Sequence, residues 1–143
     1  MSDIRIREME QDEDFSAWFA EQLQRADEGS NPGAYLEDRY LVLSNEIGDW
    51  VGGLRFGLRG GVAHLMEIVV ASDQRHQGHA HRLLAAFEAR AAESGAHLAE
   101  FWTDDAESEG LLGALGWNPV LRRDNYIGLR TWTLLEKRLT AVA

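Results

Sequence analysis

The apolar residues of this chain change their spacing along its length, and each change marks an element. Ile4 and Ile6 alternate with Arg5 and Arg7, which predicts a first strand over residues 3–8. Phe15, Trp18, Phe19 and Leu23 then recur at helical spacing behind Asp12, Glu13 and Asp14. Acids in a first turn suit the positive end of the helix dipole, so a helix over about 11–27 follows. An aromatic stripe at this spacing is a core face more often than a ligand box. Gly29, Asn31, Pro32 and Gly33 make 28–33 a loop. Residues 40–44 read as a strand, 45–49 as a turn, 50–58 as the hairpin partner, and Gly60-Gly61 as a second turn. The run 62–70 is almost unbroken apolar sequence, interrupted by His64 and Glu67, as in a central strand covered on both faces.

The pattern changes at residue 71. A polar loop (71–77) leads to Ala80, Leu83, Leu84, Phe87 and Ala91, one apolar helical face ending at Ser94-Gly95. Residues 97–103 are again strand-like. Strand, helix and strand over 62–103 predict a parallel pair joined by a right-handed crossover. A short helix over 105–115 ends at Gly116, and strands at 119–125 and 128–138 flank a turn at 126–128. The expected fold is α/β (α+β): a mixed, mainly antiparallel sheet of about 6–7 strands, with a central parallel pair and flanking helices. No repeat or composition shift divides the chain, so one domain over 1–143 is expected.

Composition narrows the function. The 143 residues include no cysteine, which excludes disulfides, thiolate metal sites and a cysteine nucleophile. Asp3, Arg5 and Arg7 prevent a signal-peptide core near the start. The longest apolar stretches fall short of the roughly 20 residues a membrane span needs. A cytoplasmic protein with no membrane partner is expected. The formal net charge of −10 opposes nucleic-acid binding. It favours a cationic substrate through steering, and it equally serves solubility.

The sharpest chemical signal is Arg75-His76-Gln77-Gly78-His79-Ala80, between the apolar strand and the amphipathic helix. The first N–H groups of a helix lack partners within it, and with the helix dipole they form an anion site suited to phosphate. Gly78 lets the backbone approach a bulky diphosphate, and Ala80 keeps that approach open. Arg75, His76, His79, His81 and Arg82 place cations where helix starts usually carry acids, which a bound anion explains. The alternatives are a surface loop with chance histidines and a His76–His79–His81 metal site. No carboxylate lies among those histidines, so no metal is expected. Gly-x-x-x-x-Gly-Lys-Ser/Thr and Gly-x-Gly-x-x-Gly phosphate loops are both absent.

Arg75-x-x-Gly78-x-Ala80, after Glu67-Ile68-Val69-Val70 and before Leu83-Leu84, resembles the acetyl-CoA motif of the GNAT superfamily of N-acetyltransferases. Leu115-Gly116-Trp117 is similar to the Leu-Gly-Phe that closes the family's last helix, and the order of elements agrees over about 3–138. The resemblance implies a GNAT-like fold with a V-shaped opening between strands 62–70 and 97–103. Acetyl-CoA would lie there as co-substrate, its pyrophosphate on residues 75–80. His81 and Asp105 are added as cofactor contacts. The pantetheine arm would pair with the backbone of Ile68, Val69 and Val70, with an N–H near Val69 stabilising the oxyanion. The acceptor would sit near the first helix and the 28–36 loop, and Trp50, Trp102, Trp117 and Trp132 are candidate walls. It would be a primary amine on a small molecule or peptide, with a homodimer also allowed.

Amine attack needs a base, because neutralising an alkyl ammonium at pH 7 costs about 4–5 kcal/mol. Glu67, a carboxylate within an apolar strand, is the candidate, with burial expected to raise its pKa; the equal alternative is a strand face that is exposed or a pairing with an arginine. A thiolate leaves without much help. At the family's tyrosine acid this chain has Leu112, and Asp105 and Ser108 replace the usual asparagine and alanine. Tyr126 is the substitute candidate acid. These departures keep open a non-catalytic acyl-CoA sensor or interaction module.

Overall fold

The computed structural model describes residues 4–26 and 37–140, which fall into two compact units. In the first, residues 4–12 have no regular secondary structure, and helix α1 spans Glu13–Ala26. The strand expected at 3–8 is therefore not formed among the described residues. Two isoleucines between charged neighbours are too little apolar surface to fix a strand, which exists only when paired. Helix α1 starts as its sequence demands. The Asp12 carboxylate accepts hydrogen bonds from the N–H groups of Asp14 (2.8 Å) and Phe15 (3.1 Å). Phe15 stacks obliquely on Trp18 and Phe19, with ring centroids 5.6 and 5.9 Å apart.

The second unit is a six-stranded sheet with two helices. Its elements are β1 (Glu37–Ser44), β2 (Trp50–Arg59), β3 (Val62–Val70), α2 (His79–Glu93), β4 (Leu98–Thr103), α3 (Ala106–Ala114), β5 (Asn118–Arg123) and β6 (Trp132–Arg138). The sheet order is β1-β2-β3-β4-β6-β5. Every neighbouring pair is antiparallel except β3 and β4, the expected parallel pair. The turn before β6 is longer than expected, because residues 127–129 form a short 3-10 turn.

One face of the sheet carries the core. Leu54, Phe56, Ala63, Leu65, Ala99, Phe101 and Leu135 point to the face that α2 and α3 cover. Helix α2 contributes Leu83, Leu84, Phe87 and Ala91 at the spacing of one helical stripe. Phe87 meets Phe56 edge-on and stacks on Trp117. Both helices end in the same way. Gly95 (φ 90°) and Gly116 (φ 93°) occupy the left-handed position, and Ala96 and Trp117 donate back to the carbonyls of Ala91 and Leu112. Leu-Gly-Trp is thus a helix stop, and its tryptophan closes the core. Lys137 fastens this end, donating to the Leu115 carbonyl (2.7 Å) and pairing with Glu88 of α2 (2.6 Å).

Candidate active site

The central strands separate along their length. The pairing of β3 with β4 runs from Val62/Leu98 to Leu65/Phe101, and both strands continue past it. On its other side β3 remains paired with β2 as far as Val70, through a bulge at Met66. Among the described residues, the rim of β3 over 66–70 that faces β4 therefore has no strand partner. Ile68, Val69 and Val70 lie on this rim, where the sequence anticipated them. The Val70 carbonyl accepts from Arg75 Nε at 3.3 Å.

Helix α2 begins at the head of this opening. Its N-cap is Gly78, left-handed at φ 80°, and no side chain caps the helix. The first intrahelical bond at this end runs from the Arg82 N–H to the Gly78 carbonyl (3.2 Å), so helix geometry leaves the N–H groups of His79, Ala80 and His81 to an external acceptor. A Cβ on Gly78 would meet nothing within 4 Å, which makes the approach open. His76 also has a positive φ, 63°, which bends the loop into the helix. His79 Nδ1 is buried without a hydrogen-bond partner. The structure therefore brings together the residues named from sequence at 75–81, as an uncapped helix start beside exposed Arg75, His76, Gln77 and His81. These features fit a diphosphate.

The other expected residues are placed less simply. Of the two alternatives for Glu67, the structure has the exposed, arginine-paired one and not the buried one. Its side chain is 69% exposed and ion-pairs with Arg55, its register partner across the β2–β3 ladder. A carboxylate beside the bulge, on the face opposite the core, finds water and an arginine rather than an apolar pocket. The Glu67 hydrogen bond, and then its charge, hold Arg55 above the usual guanidinium value. Asp105 caps α3: its carboxylate accepts from the N–H groups of Glu107 (3.2 Å) and Ser108 (3.3 Å) and from Ser108 Oγ (2.9 Å). Those bonds, the Ser108 hydroxyl foremost, hold its carboxyl below the ordinary value. Any contact with a carrier competes with them. Leu112 is wholly buried in the core, so α3 offers no titratable group at that position.

Tyr126 lies in a cavity of about 450 Å³ on the sheet face opposite α2 and α3, where β3 and β4 part. Its ring is 5.3 Å from Trp102, and the Arg123 guanidinium sits 4.9 Å above it. Trp102 and Trp132 line the same cavity, Trp117 belongs to the core, and Trp50 is exposed at the start of β2. Residues 28–36, expected beside the acceptor, lie outside the described residues. Sequence reasoning missed His64 and Glu100, which face each other across β3 and β4 (Nδ1–Oε2 3.6 Å) and line the cavity. Their signal was present as charged or titratable residues inside two mainly apolar strands.

Known proteins share this fold. An acetyltransferase of known structure from Bacillus cereus has a TM-score of 0.73 at 18% identity, covering 94% of this chain and 98% of its own. A structure from Agrobacterium tumefaciens, titled as an acetyltransferase, has a TM-score of 0.76 at 20% identity and covers 95% and 99%. An aminoglycoside 6'-N-acetyltransferase complexed with coenzyme A has a TM-score of 0.64 at 16% identity, covering 75% and 76%. No curated protein matches by sequence. At these identities the likeness is one of fold. Residues 4–117 match the acetyltransferase (GNAT) family, and the chain belongs to that family.

Proposed function

We propose that this protein, as a single domain, moves an acetyl group from acetyl-CoA to a primary amine of a small molecule or peptide by direct attack. The uncapped start of α2 carries this reading. Its free N–H groups at 79–81, with Arg75 and the histidines around it, suit the pyrophosphate of CoA. Bound there, acetyl-CoA supplies an acyl group already activated as a thioester. The unpaired rim at Ile68–Val70 is suited to hold an extended arm as a strand would, and an N–H near Val69 is the candidate oxyanion donor.

Tyr126, in the cavity, is the candidate acid. Glu67 is the candidate base; it does not line the cavity, so a proton leaving the amine reaches it through water. The CoA-bound aminoglycoside enzyme of the same fold supports a CoA-type donor. A cytoplasmic location, the absence of a metal and a homodimer remain part of the proposal.

Arg75→Glu tests the donor site. Calorimetry with CoA should show binding lost while the circular dichroism spectrum is kept, and unchanged affinity would remove the donor from this corner. The buried Leu112 favours a second reading, an acyl-CoA sensor without turnover. Thiol release from acetyl-CoA across a panel of amines separates the two: tight binding with no release above background selects the sensor.

A further inference from the structure

The cavity on the sheet face opposite α2 and α3 has walls of two kinds. Trp102, Tyr126 and Trp132 form an aromatic side, the first two rings tilted at 46° to each other, and Arg123, which does not line the cavity, packs over Trp102 and Tyr126 and steadies them. His64 and Glu100, register partners at the paired ends of β3 and β4, supply the polar side. Their side chains are 28% and 29% exposed, so they are neither free in solvent nor stripped of it.

Each precedes the last paired position, Leu65 or Phe101, by one residue. The carboxylate and imidazole thus stand beside the point where the two strands part. Among the described residues, Glu100 is the sole carboxylate in the lining, and the permanent cation there, Arg59, is exposed at the end of β2. About 450 Å³ is in the range of small-molecule sites and too small for a folded segment.

We propose that this pocket takes a primary amine with a flat aromatic body, its ammonium on Glu100 and its ring against Trp102, Tyr126 and Trp132. A carboxylate beside aromatic faces complements a cation joined to a ring on both counts. The proposal deepens the acyl-transfer reading and takes its biological meaning from it. Its test needs no turnover.

The full chain is titrated with 2-phenylethylamine and followed by tryptophan fluorescence, for which Trp102 and Trp132 are reporters. The controls are 2-phenylethanol, which keeps the ring and lacks the charge, and n-butylamine, which keeps the charge and lacks the ring. Phenylethylamine should bind at least about tenfold tighter than either, and Trp102→Phe should diminish the signal. Glu100→Gln should bring phenylethylamine down to the level of phenylethanol, while His64→Gln leaves binding within about threefold.

Equal affinity for the amine and the alcohol overturns the proposal, and the native chain alone decides this even if Glu100→Gln fails to fold. Undiminished binding by a folded Glu100→Gln overturns it too, as does tighter binding of triglycine amide than of phenylethylamine. Calorimetry with CoA on the same preparation separates the two readings. CoA binding without phenylethylamine binding removes the pocket assignment alone, and the reverse removes the donor site alone.

Discussion

Helices α2 and α3 each follow a strand of the parallel pair, yet they begin in opposite ways. At α3, Asp105 folds over the first turn and satisfies two N–H groups, with Glu107 and Glu109 close behind. At α2 the N-cap is a left-handed glycine, no side chain caps the turn, and the first turn holds no acid. The C-terminal ends of both helices stop with the same glycine device, so the difference is confined to the starts. Forgoing a cap costs about 1 kcal/mol. In the proposed function the uncapped donors of α2 take a ligand, so that one start would serve stability and the other binding.

Making α2 begin like α3 should have the largest effect. Gly78→Asp places a carboxylate over the free N–H groups, in a conformation aspartate tolerates. CoA affinity measured by calorimetry should fall about a hundredfold, as expected when charge-assisted hydrogen bonds are lost. A smaller fall than tenfold would break the contrast. Next, Gly116→Ala forces a side chain into the left-handed stop of α3 and should cost about 1–2 kcal/mol in urea denaturation, with CoA affinity unchanged.

Asp105→Ala, which strips α3 of its cap, should cost about 1 kcal/mol and shift CoA affinity by less than about twofold. A large loss of CoA binding would restore Asp105 to the donor site. The smallest effect is on acid stability. The folded carboxyl of Asp105 lies below its ordinary value, so its contribution is present above the unfolded value and is lost as pH falls through the folded one. Urea midpoints below about pH 4 should therefore fall less steeply in Asp105→Ala than in the native chain.

Much of the sheet was legible because its elements bury one face. The strands at 50–58 and 62–70 and the helix from residue 79 were placed within a residue or two, since long apolar runs and one clean helical stripe leave little choice of register. The strand at 3–8 failed where the pattern consisted of two residues. The glycine-centred helix start was readable locally, since backbone donors need only sequence neighbours. The cavity was not. His64 and Glu100 meet only because residues 62–65 pair with 98–101, and Trp102 and Tyr126 meet only through the long turn before β6. Glu67 stayed undecided for the same reason: its pairing with Arg55 is set by the register across the hairpin, which no local pattern announces.

The parting of β3 from β4 has a consequence for handling the protein. A run of main-chain donors and acceptors left open in mid-sheet is a template for any extended chain, including a segment of a neighbouring molecule. Preparations kept without a thioester carrier should be the ones that cloud and self-associate on concentration, and the carrier should act as a solubilising agent by covering that seam.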